Sequence, residues 1–195
     1  RLVAIGPFAG LNNNTWPNTF IGYNSGGSSS DITGAASTAI GNYTLSKLTS
    51  GNNNTAIGHD AGKEITTGQY NTACGAYSLD SNSTASYDTG FGYGTLSSIT
   101  TGWGDTAMGY HAGVNITSAW GCTVIGNDAG KQITTGQDNT CVGHNSGSSI
   151  STGTTNTLVG VSTGDVLTTG SNNICIGFDV DPTSSTVSNT ITLGN

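Results

Sequence analysis

Residues Asn54–Tyr70 read NTAIGHDAGKEITTGQY, and the same phrase returns from end to end of the chain. Its fixed mark is a glycine that follows an apolar residue. It falls at Gly6, Gly22, Gly41, Gly58, Gly75, Gly92, Gly109, Gly126, Gly143, Gly160, Gly177 and Gly194. From Gly41 onward every interval is 17 residues, and only the first two differ, at 16 and 19. A short fixed period of this kind means stacked identical units.

Let Asn54 be position 1 of a turn and Tyr70 position 17. Position 4 is apolar in every copy: Ile5, Ile21, Ile40, Ile57, Cys74, Phe91, Met108, Ile125, Val142, Val159, Ile176 and Leu193. Position 12 is Leu or Ile in most turns, with Asn82 and Ser184 as the exceptions. Seventeen residues with glycines after short Thr/Ile-rich segments cannot hold a helical hairpin. They can hold two short strands and two tight bends. The reading is therefore all-β: a parallel β-solenoid, or β-roll, with 17-residue coils. Eleven steps from Gly6 to Gly194, at about 4.8 Å each, predict a rod of roughly 53 Å.

Side chains alternate across a strand, so this reading points position 4 into the coil and position 3 outward. Position 3 is small or apolar in eleven of twelve copies, including Ala39, Ala56, Ala73, Ala107, Val124 and Cys141. An exposed stripe of that length calls for cover. The expectation is the same stripe on sister chains, in an intertwined or side-by-side homotrimer with small residues near its axis.

Three segments follow from the period: irregular opening coils over 1–36, regular 17-residue repeats over 37–172, and a transition coil over 173–195. The first contains Pro7, Pro17 and an insertion at Gly26–Ser30. Regular turns come in two kinds. One has Gly at position 9, as at Gly62, Gly113, Gly130 and Gly147; the other has Leu there, at Leu45, Leu79 and Leu96. Where Asn82 stands in place of the usual Ile, Leu79 is expected to swing inward and replace it. Thr at positions 2 and 13 suits β-structure and a hydrogen-bonded ladder. Asn at position 1 (Asn54, Asn71, Asn139, Asn156, Asn173) can close the bend through a ladder of amides.

Charged residues make up 8% of the chain, and the net charge is −7, eleven acids against Arg1, Lys47, Lys63 and Lys131. That balance argues against nucleic acid as a partner. No apolar run approaches the length needed to span a membrane. The chain opens on Arg1 and ends within a repeat, which reads as an excised piece of a longer polypeptide. Cys141 and Cys175 share position 3 two turns apart, roughly 9.6 Å at strand spacing, beyond bridging distance. With Cys74 and Cys122 they read as free thiols in small apolar slots, consistent with assembly in a reducing cytoplasm.

The units NTAIGHDAGKEITTGQ and CTVIGNDAGKQITTGQ resemble the repeats of bacteriophage tail-fibre and spike proteins, and more distantly the heads of trimeric autotransporter adhesins. The resemblance covers essentially the whole chain. It implies a trimeric parallel β-roll on a virion or cell surface. The ending TVSNTITLGN resembles the junction that precedes a self-cleaving C-terminal chaperone in such fibres. The 17-residue period and the TTG segment depart from the adhesin heads, and with them any collagen- or matrix-binding role.

Catalytic and metal-binding sets do not emerge. His59, His111 and His144 sit three and two turns apart, roughly 14 and 10 Å, too far to share one ion. Asp179 and Asp181 form a carboxylate pair of the kind glycosidases use, but FDVDP reads as a turn. Exposed aromatics are the candidates for recognition of a host glycan or protein. Trp103 and Trp120 at position 16, with Tyr70 and Tyr87 at position 17, should line one edge; Tyr77, Tyr93 and Tyr110 should line another. Their rings can offer faces to a sugar, or pack on one another and staple the rod.

The functional expectation is a structural module of a phage-type tail fibre, without catalysis, cofactor or metal, presenting a surface for host attachment on the virion. A bacterial surface adhesin, an extracellular filament subunit and a polysaccharide depolymerase spike are the alternatives. Ice binding through the Thr66-Thr67, Thr100-Thr101, Thr134-Thr135 and Thr168-Thr169 ladders is set aside, because neighbouring Thr point to opposite faces and leave one narrow row.

Overall fold

The computed structural model describes residues 1–195 apart from Trp16, Ser29 and Asn195, so one residue of the Gly26–Ser30 insertion and the last residue of the closing TLGN lie outside it. Twelve strands pair in chain order into one parallel sheet. They are β1 Leu2–Ile5, β2 Asn18–Ile21, β3 Thr38–Ile40, β4 Thr55–Ile57, β5 Thr72–Cys74, β6 Thr89–Phe91, β7 Thr106–Met108, β8 Thr123–Ile125, β9 Thr140–Val142, β10 Thr157–Val159, β11 Ile174–Ile176 and β12 Ile191–Leu193. Strands β4 and β5 pair Thr55 with Thr72 and Ile57 with Cys74, so like positions sit side by side. The register stays in phase even at the start, where Leu2 pairs with Asn18 and Thr19 with Thr38. Loops absorb the uneven steps. The chain is a β-solenoid of 17-residue coils.

Each coil has one strand, not the two expected from the sequence. The second half is built from tight turns because its backbone repeatedly enters the left-handed region, at Asp60 (φ 56°), Gly62 (φ 58°) and Tyr70 (φ 58°) in one turn. A strand cannot continue through such residues. Instead the Ile65 N–H donates to the Gly62 carbonyl at 3.1 Å, and the Thr66 N–H reaches the next turn at the Ser83 carbonyl, 3.0 Å away.

The direction of the strand's side chains is the main correction. Position 3 points inward: Phe20, Ala39, Ala56, Ala107, Val124, Cys141, Leu158 and Cys175 are fully buried within a single chain. Position 4 points outward, with Ile57, Phe91 and Met108 40%, 53% and 46% exposed. Both positions are apolar, so alternation alone cannot choose between them. Packing chooses, because the interior of so thin a coil must be filled by residues whose sizes add up. Where position 9 is Leu, position 3 is small, as in Ala39 with Leu45, Ala73 with Leu79 and Gly90 with Leu96. Where position 9 is Gly, position 3 can be larger, as in Val124 with Gly130 and Leu158 with Gly164. Where both are small, as in Ala56 with Gly62 and Ala107 with Gly113, Leu45 and Leu96 of the preceding turn fill the space, as a close-packed interior requires.

Leu45, Leu79 and Leu96 take positive φ of 48°, 53° and 49°. Such a backbone costs on the order of 1–3 kcal/mol for a bulky residue. Each of the three side chains is fully buried, and burying a leucine returns about 1.5–3 kcal/mol. Leu79 does turn inward, but it joins Asn82 in the interior without displacing it, since both are fully buried.

Two polar ladders tie the turns together. Thr66, Thr100, Thr117 and Thr134 at position 13 each donate a hydroxyl to the position-13 carbonyl of the next turn, at 3.0–3.2 Å. At position 1, Asn54 Oδ1 accepts the Asn71 N–H at 3.0 Å while Asn54 Nδ2 donates to the Gly68 carbonyl at 2.9 Å. One amide side chain therefore satisfies a donor in the next turn and an acceptor in its own, in a place water does not reach. Of the cysteines, all free, Cys122, Cys141 and Cys175 are buried; Cys74, at position 4, is only half-buried. Burial pushes the Cys122 thiol up to about 12, far from the reactive thiolate range.

Candidate interaction surfaces

Three features of the outer surface stand out: an apolar row on the sheet and two aromatic rows on the bends. The apolar row is position 4, and it runs the length of the rod. Ile5, Ile40, Ile57, Phe91, Met108, Val159, Ile176 and Leu193 are each more than one-third exposed. On the sheet, the row is flanked at position 2 by uncharged, partly exposed threonines from Thr38 to Thr157. Three strand residues wide and twelve strands long, this face measures roughly 10 by 53 Å, on the order of 500 Å². Position 3 points inward, so about half of that face is the apolar position-4 row and the rest is threonine, a row comparable to the largest apolar patch on an ordinary monomer, about 300–600 Å² and often functional.

The aromatic rows divide differently from the sequence expectation. Tyr70 and Tyr87 stack at 5.1 Å with planes 7° apart. Trp103 and Trp120 stack at 5.6 Å with planes 3° apart. Among the described residues no ring contact joins Tyr87 to Trp103, so the edge carries two stacked pairs. The second row does form: Tyr77 meets Tyr93 edge-on at 5.6 Å, and Tyr93 stacks on Tyr110 at 5.5 Å. Histidines extend it. His59 lies 5.4 Å from Tyr77, and His111 lies 3.9 Å from Tyr110. A further run, Phe8–Tyr23–Tyr43, continues on the opening coils at 5.7 and 5.3 Å.

Stacking sets what these rings can do. In the parallel pairs, at 3° and 7°, each ring turns a face to its neighbour. What they offer laterally are edges and hydroxyls, while a sugar ring stacks on a face. Each two-ring stack leaves the outer face of each ring uncovered by its partner, so the pairs can offer faces to a saccharide as well as edges and hydroxyls to a protein. Trp103, Tyr70, Tyr87, Tyr77, Tyr93 and Tyr110 are all exposed, and Trp120 is half-buried.

Charged groups cluster beside the second row. Lys63 donates to Asp60 at 3.2 Å and Lys131 pairs with Asp128 at 3.3 Å. The hydrogen bond it donates to Asp60 raises the Lys63 ammonium. At the C-terminal end, burial and then the charges of Asp181 and Asp179 raise the Asp165 carboxyl. Asp179 itself is exposed and Asp181 half-buried. The described surface has no concave pocket around these carboxylates. Sequence reading missed the position-4 row as a surface, and the signal that could have found it was the matched sizes of positions 3 and 9.

Comparison of the chain with protein-family models, with curated proteins and with solved structures finds no match.

Proposed function

We propose that this chain is a structural module of a phage-type tail fibre, a rod in which sister copies pack along their position-4 faces and present the aromatic bends to the host surface. The observation that carries this reading is the uninterrupted apolar row from Ile5 to Leu193. A second rod with the same rise per turn matches that row at every step, whereas a globular partner would meet only part of it. Hydrophobic cover of such a face is favourable at about 25 cal/mol per Å². The number three comes from the resemblance of the repeats to trimeric fibres; the face supplies the surface that trimer needs. The virion surface is the proposed location.

The attachment half of the reading is tested by incubating the labelled rod with a panel of bacterial envelope preparations. Saturable binding to some envelopes, weakened by Trp103→Ala or by Tyr87→Ala, supports it. Release of soluble oligosaccharide from capsule or lipopolysaccharide would replace it with a depolymerase. No binding to any envelope would leave a purely structural spacer and remove the attachment role.

A further inference from the structure

The position-1 ladder changes chemistry in the middle of the rod. Asn18, Ser37, Asn54 and Asn71 are followed by Asp88, Asp105 and Cys122, and then Asn139, Asn156 and Asn173. All of the six amides, and both carboxyls, are buried, with Asp88 and Asp105 fully so. The accepting half of the ladder continues through the change. The Asp105 N–H donates to Asp88 Oδ1 at 3.0 Å, and the Cys122 N–H to Asp105 Oδ1 at 2.8 Å.

The donating half does not continue with a carboxylate. In the amide turns, Nδ2 donates to the carbonyl fourteen residues ahead: Asn71 to Ala85 at 2.9 Å, Asn139 to Gly153 at 2.7 Å and Asn156 to Gly170 at 3.0 Å. Cys122 keeps the rule, its thiol donating to the Gly136 carbonyl at 3.2 Å. For Asp88 and Asp105 the corresponding carbonyls are Gly102 and Ala119, at the parallel bridges Ser86–Trp103 and Trp103–Trp120, and among the described residues neither receives a side-chain donor. Asp105 Oδ2 is buried without a partner. Asp88 Oδ2 has only a long contact of 3.5 Å from Asn82 Nδ2. An ionised carboxylate facing a carbonyl sets two acceptors against each other; a protonated one supplies the missing donor.

We propose that Asp88 and Asp105 are held as neutral carboxylic acids, each donating its proton toward the carbonyl that an asparagine would serve, and that losing these protons loosens the coils around residues 71–121. The groups facing them are the amides of Asn71 and Asn82, the thiol of Cys122 and the exposed carboxylate of Asp138. No Lys, Arg or His forms an ion pair with either carboxyl among the described residues. Burial accordingly pushes Asp88 up to about 8 and Asp105 up to about 7. The charge of Asp105 in the next turn also raises Asp88.

The sign follows from linkage. Below the ordinary carboxylate range, folded and unfolded chains hold both protons and the groups have no effect. Between that range and the raised folded values, the unfolded chain has released protons that the folded chain keeps. Rising pH therefore favours unfolding, by about tenfold in the unfolding equilibrium constant per pH unit for each group. Above the folded values the loss is complete and levels off.

The test compares the full chain with Asp88→Asn, Asp105→Asn and the double variant by thermal unfolding from about pH 5 to about pH 8, the window in which linkage acts. The wild type should lose Tm as pH rises, and the double variant should be flat and more stable than the wild type at the alkaline end. Hydrogen exchange, corrected for its intrinsic pH dependence, should quicken in 71–121 of the wild type. Infrared spectra of the wild type with isotope-labelled aspartate should show a protonated carboxyl band near neutral pH, a readout independent of whether any variant folds. A wild-type Tm that does not move with pH, a double variant with the wild-type slope, or absence of that band would overturn the proposal.

Discussion

Val124 fills the space that a side chain at Gly130 would need: a Cβ built on Gly130 would stand 2.6 Å from Val124 Cγ1. The two residues form the mirror image of Ala73 and Leu79, where the large side chain comes from the bend and the small one from the strand. The single variants should each be destabilised, Gly130→Leu by overpacking and Val124→Ala by a cavity, at about 1–3 kcal/mol apiece. The double variant rebuilds the Ala73–Leu79 arrangement and should recover at least about 1 kcal/mol of the summed loss. Urea denaturation gives the cycle. Strictly additive losses would mean that positions 3 and 9 do not share one space.

The corner glycines give a graded prediction. Gly58 has φ +135°, and a Cβ there would come within 2.7 Å of the Gly75 carbonyl in the next turn. Gly104 has φ +74° with nothing within 4 Å of a Cβ. Gly58→Ala should therefore cost clearly more than Gly104→Ala, whose loss is set by the left-handed backbone alone at about 1 kcal/mol. Equal losses would show that the close approach of successive turns does not constrain the corner.

The stacked indoles should be visible in solution. Rings 5.6 Å apart and 3° from parallel place each indole in its neighbour's ring current, so the Trp103 ring protons should resonate upfield in the wild type. Trp120→Ala should return them toward ordinary indole positions and leave the unfolding midpoint nearly unchanged, since Trp120 is only half-buried. Trp103 resonances that do not move on this substitution would contradict the pairing.

How much of this was legible depended on what each signal encodes. The glycine interval determined the turn, the strand and its register, because a parallel coil repeats when its sequence does. The orientation of the strand was not legible from alternation, since Val124 inside and Ile125 outside are both apolar. It was written instead in the sizes of two positions six residues apart, such as Leu158 against Gly164. The tyrosine row at Tyr77, Tyr93 and Tyr110 followed from position. The break between Tyr87 and Trp103 was not legible in the spacing, since Tyr77 and Tyr93 are also 16 residues apart and still meet. Asp88 and Asp105 were plain in the position-1 column. Their meaning was not, because a carboxyl in an amide's place is informative only once burial and missing donors are seen.

The central claim is that position 4, not position 3, is the face on which copies of this rod associate. Sedimentation equilibrium of the wild type, of an Ile57→Asp/Met108→Asp double variant and of Val124→Asp tests it most directly. Ile57 and Met108 are 40% and 46% exposed in the single chain, whereas Val124 is fully buried. The wild type should sediment as a trimer. The double variant should sediment as a folded monomer with wild-type β-sheet circular dichroism. Val124→Asp should lose the fold itself, because an unpaired charge in the coil costs several kcal/mol. A wild type that stays monomeric through the micromolar range, or a double variant that keeps the wild-type mass, would contradict the assignment.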